Sequence, residues 1–208
     1  MASYACSKQC KKTEHKNDLT GVPKYFYDLY DALNTKSKNK SDETITKLVG
    51  KIKKIIAGEF VFESGGLSFV DENNRVIDKN LVSFGMTSLG MLGLLLKNNL
   101  IGKGSFVFFD EPETNLHPQW QVLLIDVFIE LAKNGINIVM ATHSLDMIKA
   151  LEVKTKNEKD DFVGVNHFKS DGKLMKFESK NTYENLQKSR EILSEAYEDL
   201  YYENSIND

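Results

Sequence analysis

The chain has 208 residues, is 41% hydrophobic and 27% charged, and carries a formal net charge of −3. That length suits one domain with a single sizeable core, at roughly 100–200 residues per domain. No apolar run approaches the roughly 20 residues needed to cross a bilayer, and the opening MASYACSKQCKK lacks the basic-then-apolar order of a secretory signal. A cytoplasmic protein without a membrane span is expected.

Cys6 and Cys10 are the only cysteines, so no disulfide framework is implied. With His15 they form a C-x3-C-x4-H string that lacks a fourth ligand, and exposed thiols are expected there rather than a zinc site. Charge is unevenly spread: residues 1–58 hold 12 lysines against 6 acids, and the remainder holds 15 Lys and Arg against 24 acids. The basic part could meet DNA or another acidic surface. No aromatics interleave with Lys36, Lys38 and Lys40, which favours a solvated face.

In chain order, residues 1–20 show no periodicity and are read as a loose segment. After Pro23, KYFYDLYDAL sets Tyr25, Phe26, Leu29, Tyr30 and Leu33 at helical spacing. Following a lysine-rich linker, ETITKLVGKIKKII places Ile45, Leu48, Val49, Ile52, Ile55 and Ile56 on one stripe, and residues 21–58 form a helical, lysine-rich segment. The period then changes to 2. Glu59–Glu63, Leu67–Val70 and Arg75–Ile77, separated by Gly65-Gly66 and by Asp71-Glu72-Asn73-Asn74, predict a small antiparallel meander.

Ser83 is a suitable N-cap for an apolar helix reaching to about Asn98, and Gly85 in its first turn leaves backbone N–H groups open to an approaching anion. Ser105–Phe109 is apolar or small without alternation, which predicts a strand buried on both faces, and it ends in Asp110 and Glu111. Pro118 starts a helix closed by Gly135, and Ile136–Ala141 is read as a second buried strand. Strand, helix and strand form a βαβ unit with parallel strands, so Thr142-His143-Ser144 falls on the same sheet edge as the two carboxylates. That edge is where open α/β sheets bind ligands. Val163–Lys169 and Leu174–Phe177 predict a hairpin around Ser170-Asp171-Gly172, and residues 181–208 a C-terminal helix and tail that frays after about Tyr202.

Three strings in this order, VSFGMTSL, FVFFDEPETNLHP and IVMATHS, resemble the signature motif, the Walker B strand with its D-loop, and the switch-histidine strand of ABC-class ATPases. The likeness runs from about Val82 to Ile148, more weakly from Pro23 to Phe177. It is similar to the C-terminal half of prokaryotic AAA-like ATPases related to the recombination and chromosome-structure ATPases and to OLD-type and Septu-type defence ATPases. The resemblance implies an α/β, partial P-loop NTPase fold with a parallel sheet core and flanking helices, its core spanning residues 59–180.

It further implies ATP and Mg²⁺ as cofactors. Asp110 would hold Mg²⁺, partly through water. Glu111 would polarise the attacking water, and His143 would meet that water and the γ-phosphate. Glu113, Thr114 and Asn115 would lie in a D-loop at a dimer interface, and Ser83 and Gly85 would complete the opposite subunit's nucleotide site. His117 either orients the loop before Pro118 or contacts nucleotide.

The departures from the family pattern are equally specific. No G-x-x-x-x-G-K-[ST] occurs in the 208 residues, Gly102-Lys103-Gly104-Ser105 lacks both the upstream glycine and a following helix, and Phe84 stands where the signature usually has a small residue. The chain is therefore expected to represent part of an ATPase, inactive or very weak alone. A complete subunit that works in a homodimer, or with a companion chain carrying the Walker A loop, is the alternative. Two readings from other classes stand beside it. One is a metal-dependent nuclease with Asp110, Glu111, Glu113, His117 and His143 as ligands. The other is a non-catalytic dimerisation module derived from an ATPase.

Overall fold

The computed structural model describes residues 24–34, 43–63, 66–159 and 161–206. Cys6, Cys10, His15, Lys36, Lys38 and Lys40 lie outside them. The chain divides into two compact units, one of Met1–Val107 with Glu130–Ile138, the other of Phe108–Ile129 with Val139–Asp208.

The first unit begins with helices α1 (Lys24–Asn34) and α2 (Glu43–Ile55). In α1 the inward positions are Tyr27 and Leu33, while Leu29, expected on that face, is exposed. Tyr30 meets Phe62 edge-on at 5.4 Å, so the stripe follows i, i+3 spacing from Tyr27. Ile45, Leu48 and Ile52 of α2 are buried as the sequence predicts.

The meander is β1 (Gly58–Glu63), β2 (Gly66–Asp71) and β3 (Val76–Asp78), all antiparallel, with Phe60 opposite Phe69 and Phe69 opposite Ile77. The Phe60 and Phe69 rings lie 5.2 Å apart in the core. The turn into β3 is held by Asp71, whose carboxylate accepts from the N–H groups of Asn73 and Arg75 and from the Arg75 guanidinium. Those bonds, the Arg75 N–H first, hold the Asp71 carboxyl below its usual range.

Helix α3 (Phe84–Lys97) starts on Ser83, whose hydroxyl accepts from Met86 N–H at 3.3 Å. It packs on α2 and β1 through Leu89, Gly90, Leu92 and Gly93. Gly90 is a contact requirement: a Cβ there would lie 2.1 Å from Phe60 Cδ2 and 3.2 Å from Ile56 Cδ1. Above this contact, Glu59 pairs with Lys53 and Lys97 at 3.0 and 2.7 Å.

Strand β4 (Phe106–Asp110), helix α4 (Pro118–Lys133) and strand β5 (Asn137–Ala141) form the βαβ unit. The two strands pair in parallel, Asn137 N–H donating to Ser105 O at 2.8 Å and Glu111 N–H to Ala141 O at 2.9 Å. The expected burial on both faces is corrected. Phe106 and Phe108 are 67% and 73% exposed and Val139 46%, alternating with half-buried Val107 and Phe109. One face is covered by α4, with Phe128 against Phe109 at 4.4 Å. Among the described residues no layer covers the other face, although Phe106, Phe108 and Val139 on it are apolar.

The second unit ends in α5 (Leu145–Thr155) and α6 (Thr182–Ile206), which pack together. The hairpin expected between them reduces to one antiparallel bridge, Phe168 with Leu174, around Gly172 at φ +78°. Phe168 and Leu174 are exposed, so no packed face extends the pairing. α6 continues to Ile206 rather than fraying after Tyr202. The unfavourable acidic end is worth only about 0.3–1 kcal/mol, too little to unwind a turn.

Glu152 of α5 is fully buried and accepts from Lys149 Nζ at 2.7 Å and Arg190 Nε at 2.9 Å. Burial acts to raise its pKa, and the two cationic partners together outweigh it, leaving the carboxyl below its ordinary value of 4.5.

Two outcomes follow for stability. Gly90→Ala overpacks the contact between α3 and β1 and should lower unfolding free energy by about 1–3 kcal/mol in urea titration. Arg190→Ala strands the buried Glu152 carboxylate with Lys149 alone and should cost about 3 kcal/mol. Because the folded pKa of Glu152 is depressed, its contribution is complete above about pH 4.5 and is lost as pH falls towards the folded value. The stability difference between wild type and Arg190→Ala should accordingly shrink on acidification below that pH.

Candidate functional site

The carboxyl ends of β4 and β5 gather most of the residues singled out in the sequence, all in the second unit. Asp110 is the last residue of β4 and is exposed, on the same strand face as Phe106 and Phe108. At Glu111 the backbone leaves the extended conformation and adopts φ +45°. A left-handed glutamate costs of order 1–3 kcal/mol and persists only where neighbouring bonds fix it. Here its N–H is tied to Ala141 O, and its carbonyl accepts from Thr114 N–H at 3.0 Å.

That bend turns the Glu111 side chain towards β5. Glu111 Oε1 lies 3.3 Å from His143 Nδ1, with 51% and 71% of the side chains exposed. Thr114 Oγ1 stands 3.5 Å from Glu111 Oε2. Ser144, next to the histidine, caps α5 by accepting from Met147 N–H at 3.2 Å. The carboxylate and imidazole are thus in direct contact and open to solvent, where their remaining polar atoms can reach a water beside the pair.

The loop from Glu111 to His117 is a compact turn. Thr114 and Asn115 are exposed, Asn115 at φ +63°, and Leu116 is buried. His117 accepts a bond from Gln119 N–H at its Nδ1, 3.3 Å, so it orients the start of α4. Glu113 points the other way: it is 8% exposed, Oε1 accepts from Thr142 Oγ1 at 2.5 Å, and Oε2 is buried with no partner among the described residues.

Three residues in this network were not singled out from sequence. Thr142 also accepts from Ser144 N–H at 3.1 Å, Ser144 Oγ donates to Gln121 Oε1 at 2.8 Å, and Gln121 Nε2 donates to Leu116 O at 3.2 Å. The available signals were a threonine immediately before the histidine and a lone amide among the apolar residues of α4.

Ser83 and Gly85 belong to the first unit, where Ser83 caps α3 and Gly85 is buried. Phe84 between them is 49% exposed. Among the described residues no three His, Cys, Asp or Glu side chains come close enough to hold a metal ion together. The five-ligand cluster of the nuclease reading is therefore not assembled. Asp110, a single exposed carboxylate, fits an ion that retains most of its water, as Mg²⁺ does.

Known proteins share parts of this chain. The curated human and rat ATP-binding cassette sub-family A member 2 are 36% and 35% identical over 52 residues, 25% of this chain and only 2% of the length of each relative. Among solved structures, a chain from work on the ATP-driven dimerization and DNA-stimulated activation of SMC ATPases aligns at 15% identity. That alignment has a TM-score of 0.46 and covers 80% of this chain and 96% of that one. The profile of the family described as "AAA domain, putative AbiEii toxin, Type IV TA system" matches residues 10–148, about two thirds of the sequence. The chain belongs to that AAA-domain family.

Proposed function

We propose that this chain supplies the hydrolytic half of an ABC-type ATPase site, converting ATP and water to ADP and phosphate once a phosphate-cradling loop is present. The observation that carries the reading is the approach of Glu111 Oε1 to His143 Nδ1 at the ends of two parallel strands. Asp110 is the Mg²⁺ carboxylate, and the ion when bound neutralises phosphate charge. Glu111 accepts a hydrogen bond from the attacking water and aligns it. His143, exposed to solvent beside its carboxylate partner, donates towards the same water and the γ-phosphate.

Ser83 and Gly85 serve the nucleotide site of a second subunit, through the serine hydroxyl and the helix N-terminus. Glu113, Thr114 and Asn115 form the D-loop, of which the exposed Thr114 and Asn115 face that subunit. The uncovered Phe106 and Phe108 support a further segment or companion chain, the bearer of the Walker A loop, packing on β4. The family description, naming a toxin and a Type IV TA system, supports a defence setting.

Without the phosphate loop, electrostatic stabilisation of the β- and γ-phosphates is lacking, and the 208-residue chain should turn ATP over at or near background. A companion chain carrying the loop should raise turnover. In that assembly Glu111→Gln should lower kcat by about 10²–10⁴-fold, with MgATP binding retained. Turnover indifferent to Glu111→Gln would sink the assignment, and Glu111-dependent turnover by the chain alone would overturn the expected inactivity.

A further inference from the structure

The placement of His143 against Glu111 depends on two short turns that the strand ladder does not by itself fix. Beyond the Glu111 N–H bond to Ala141 O, the chain leaves β4 through a left-handed residue and leaves β5 into Thr142 without further strand pairing. Besides the Glu111–His143 contact itself, a side-chain bond joins the two turns: Thr142 Oγ1 donates to Glu113 Oε1 at 2.5 Å. It lies two residues after Glu111 and one before His143.

The bond is protected from water. Glu113 is 8% exposed and, among the described residues, its second oxygen is buried without a donor, so this carboxylate makes its one described hydrogen bond with Thr142. A buried acceptor that loses its donor is strongly penalised, which makes the contact rigid rather than one of several options. The same threonine oxygen accepts from Ser144 N–H, fixing the residue on the far side of His143 as well. Gln121 completes the clamp from α4, holding Ser144 Oγ and the Leu116 carbonyl.

We infer that Glu113 is a positioning residue: acting through Thr142, it latches the turn after β4 to the turn after β5 and thereby sets the Glu111–His143 contact. Its consequence for turnover rests on the ATPase reading above; the latch itself does not. Movement of the D-loop by a docking partner would reach His143 through this bond, with Gln121 joining Leu116 to Ser144 as a second route. Glu113 is thus distinct from Thr114 and Asn115, its exposed neighbours, in facing inward to the chain's own strand end.

The test reads the latch without nucleotide, in the full chain with ring-¹⁵N histidine, at one pH, with the His143 signals assigned by their loss in His143→Asn. Glu111→Gln should displace the His143 ring-nitrogen signals in the wild-type background. In Thr142→Val, which keeps the shape and removes the donor, the same substitution should displace them by less than half as much. Thr142→Ser, which restores the hydroxyl, should recover the full displacement. Should Thr142→Val fail to fold, Glu113→Met removes the acceptor instead and is read in the same way. An undiminished displacement in the folded latch variant would overturn the inference. In an assembly that hydrolyses ATP, loss of the latch should lower kcat about tenfold with KM unchanged, whereas an assembly without turnover would count against the ATPase reading alone.

Discussion

The bond from Glu111 N–H to Ala141 O is the constraint on which the rest of the site depends. It is the last rung of the parallel pairing between β4 and β5, and it is made by the first residue to leave the strand. Because the ladder ends there, the chain can turn at φ +45° while still anchored, and the side chain swings across to the neighbouring strand end. In an antiparallel pair the residue opposite would begin a strand, and no histidine following β5 could arrive at that edge. Parallel topology, a right-sized crossover helix and one strained residue together convert two sequence strings 32 positions apart into a contact of 3.3 Å.

Much of this is legible in the order of residues. The change from a 3.6 period to a 2 period locates the meander, Ser83 announces α3, and Pro118 and Gly135 bound α4, since each of these signals is local chemistry. Co-location of Asp110, Glu111 and His143 follows from the βαβ topology alone. What local signals do not show is the environment of the strands. An unbroken apolar string reads as buried on both faces, yet Phe106 and Phe108 face outward, because burial depends on whether a second layer is present and not on the strand's own composition. The inward turn of Glu113 is equally hidden: in the string DEPETN it is one acid among three, and only backbone dihedrals decide which of them is covered. The short hairpin near Gly172 fails for a related reason, having turn chemistry without a packed face to reward pairing.

The two units contribute in different ways. The first is organised by close packing, with Gly90 allowing α3 to rest on Phe60 and the paired lysines on Glu59 shielding that contact. The second relies more on buried polar groups: Glu152 between Lys149 and Arg190, and Glu113 against Thr142. Buried ionic groups contribute little net stability compared with apolar replacements, but they tolerate few alternative arrangements. That distribution is suited to holding the exposed Glu111 and His143 side chains at a fixed separation.

The open face of β4 has a bearing on how the molecule behaves as a substance in solution. Two phenylalanines, 67% and 73% exposed on one strand, next to a strand whose Val139 is also uncovered, present an adhesive surface. A net charge of −3 over 208 residues gives little electrostatic repulsion to keep copies apart. Colloidal behaviour is therefore tied to occupancy of that face: left bare, an apolar strand face of this kind favours concentration-dependent self-association. Covering it would decide how much of the protein persists in a dispersed form.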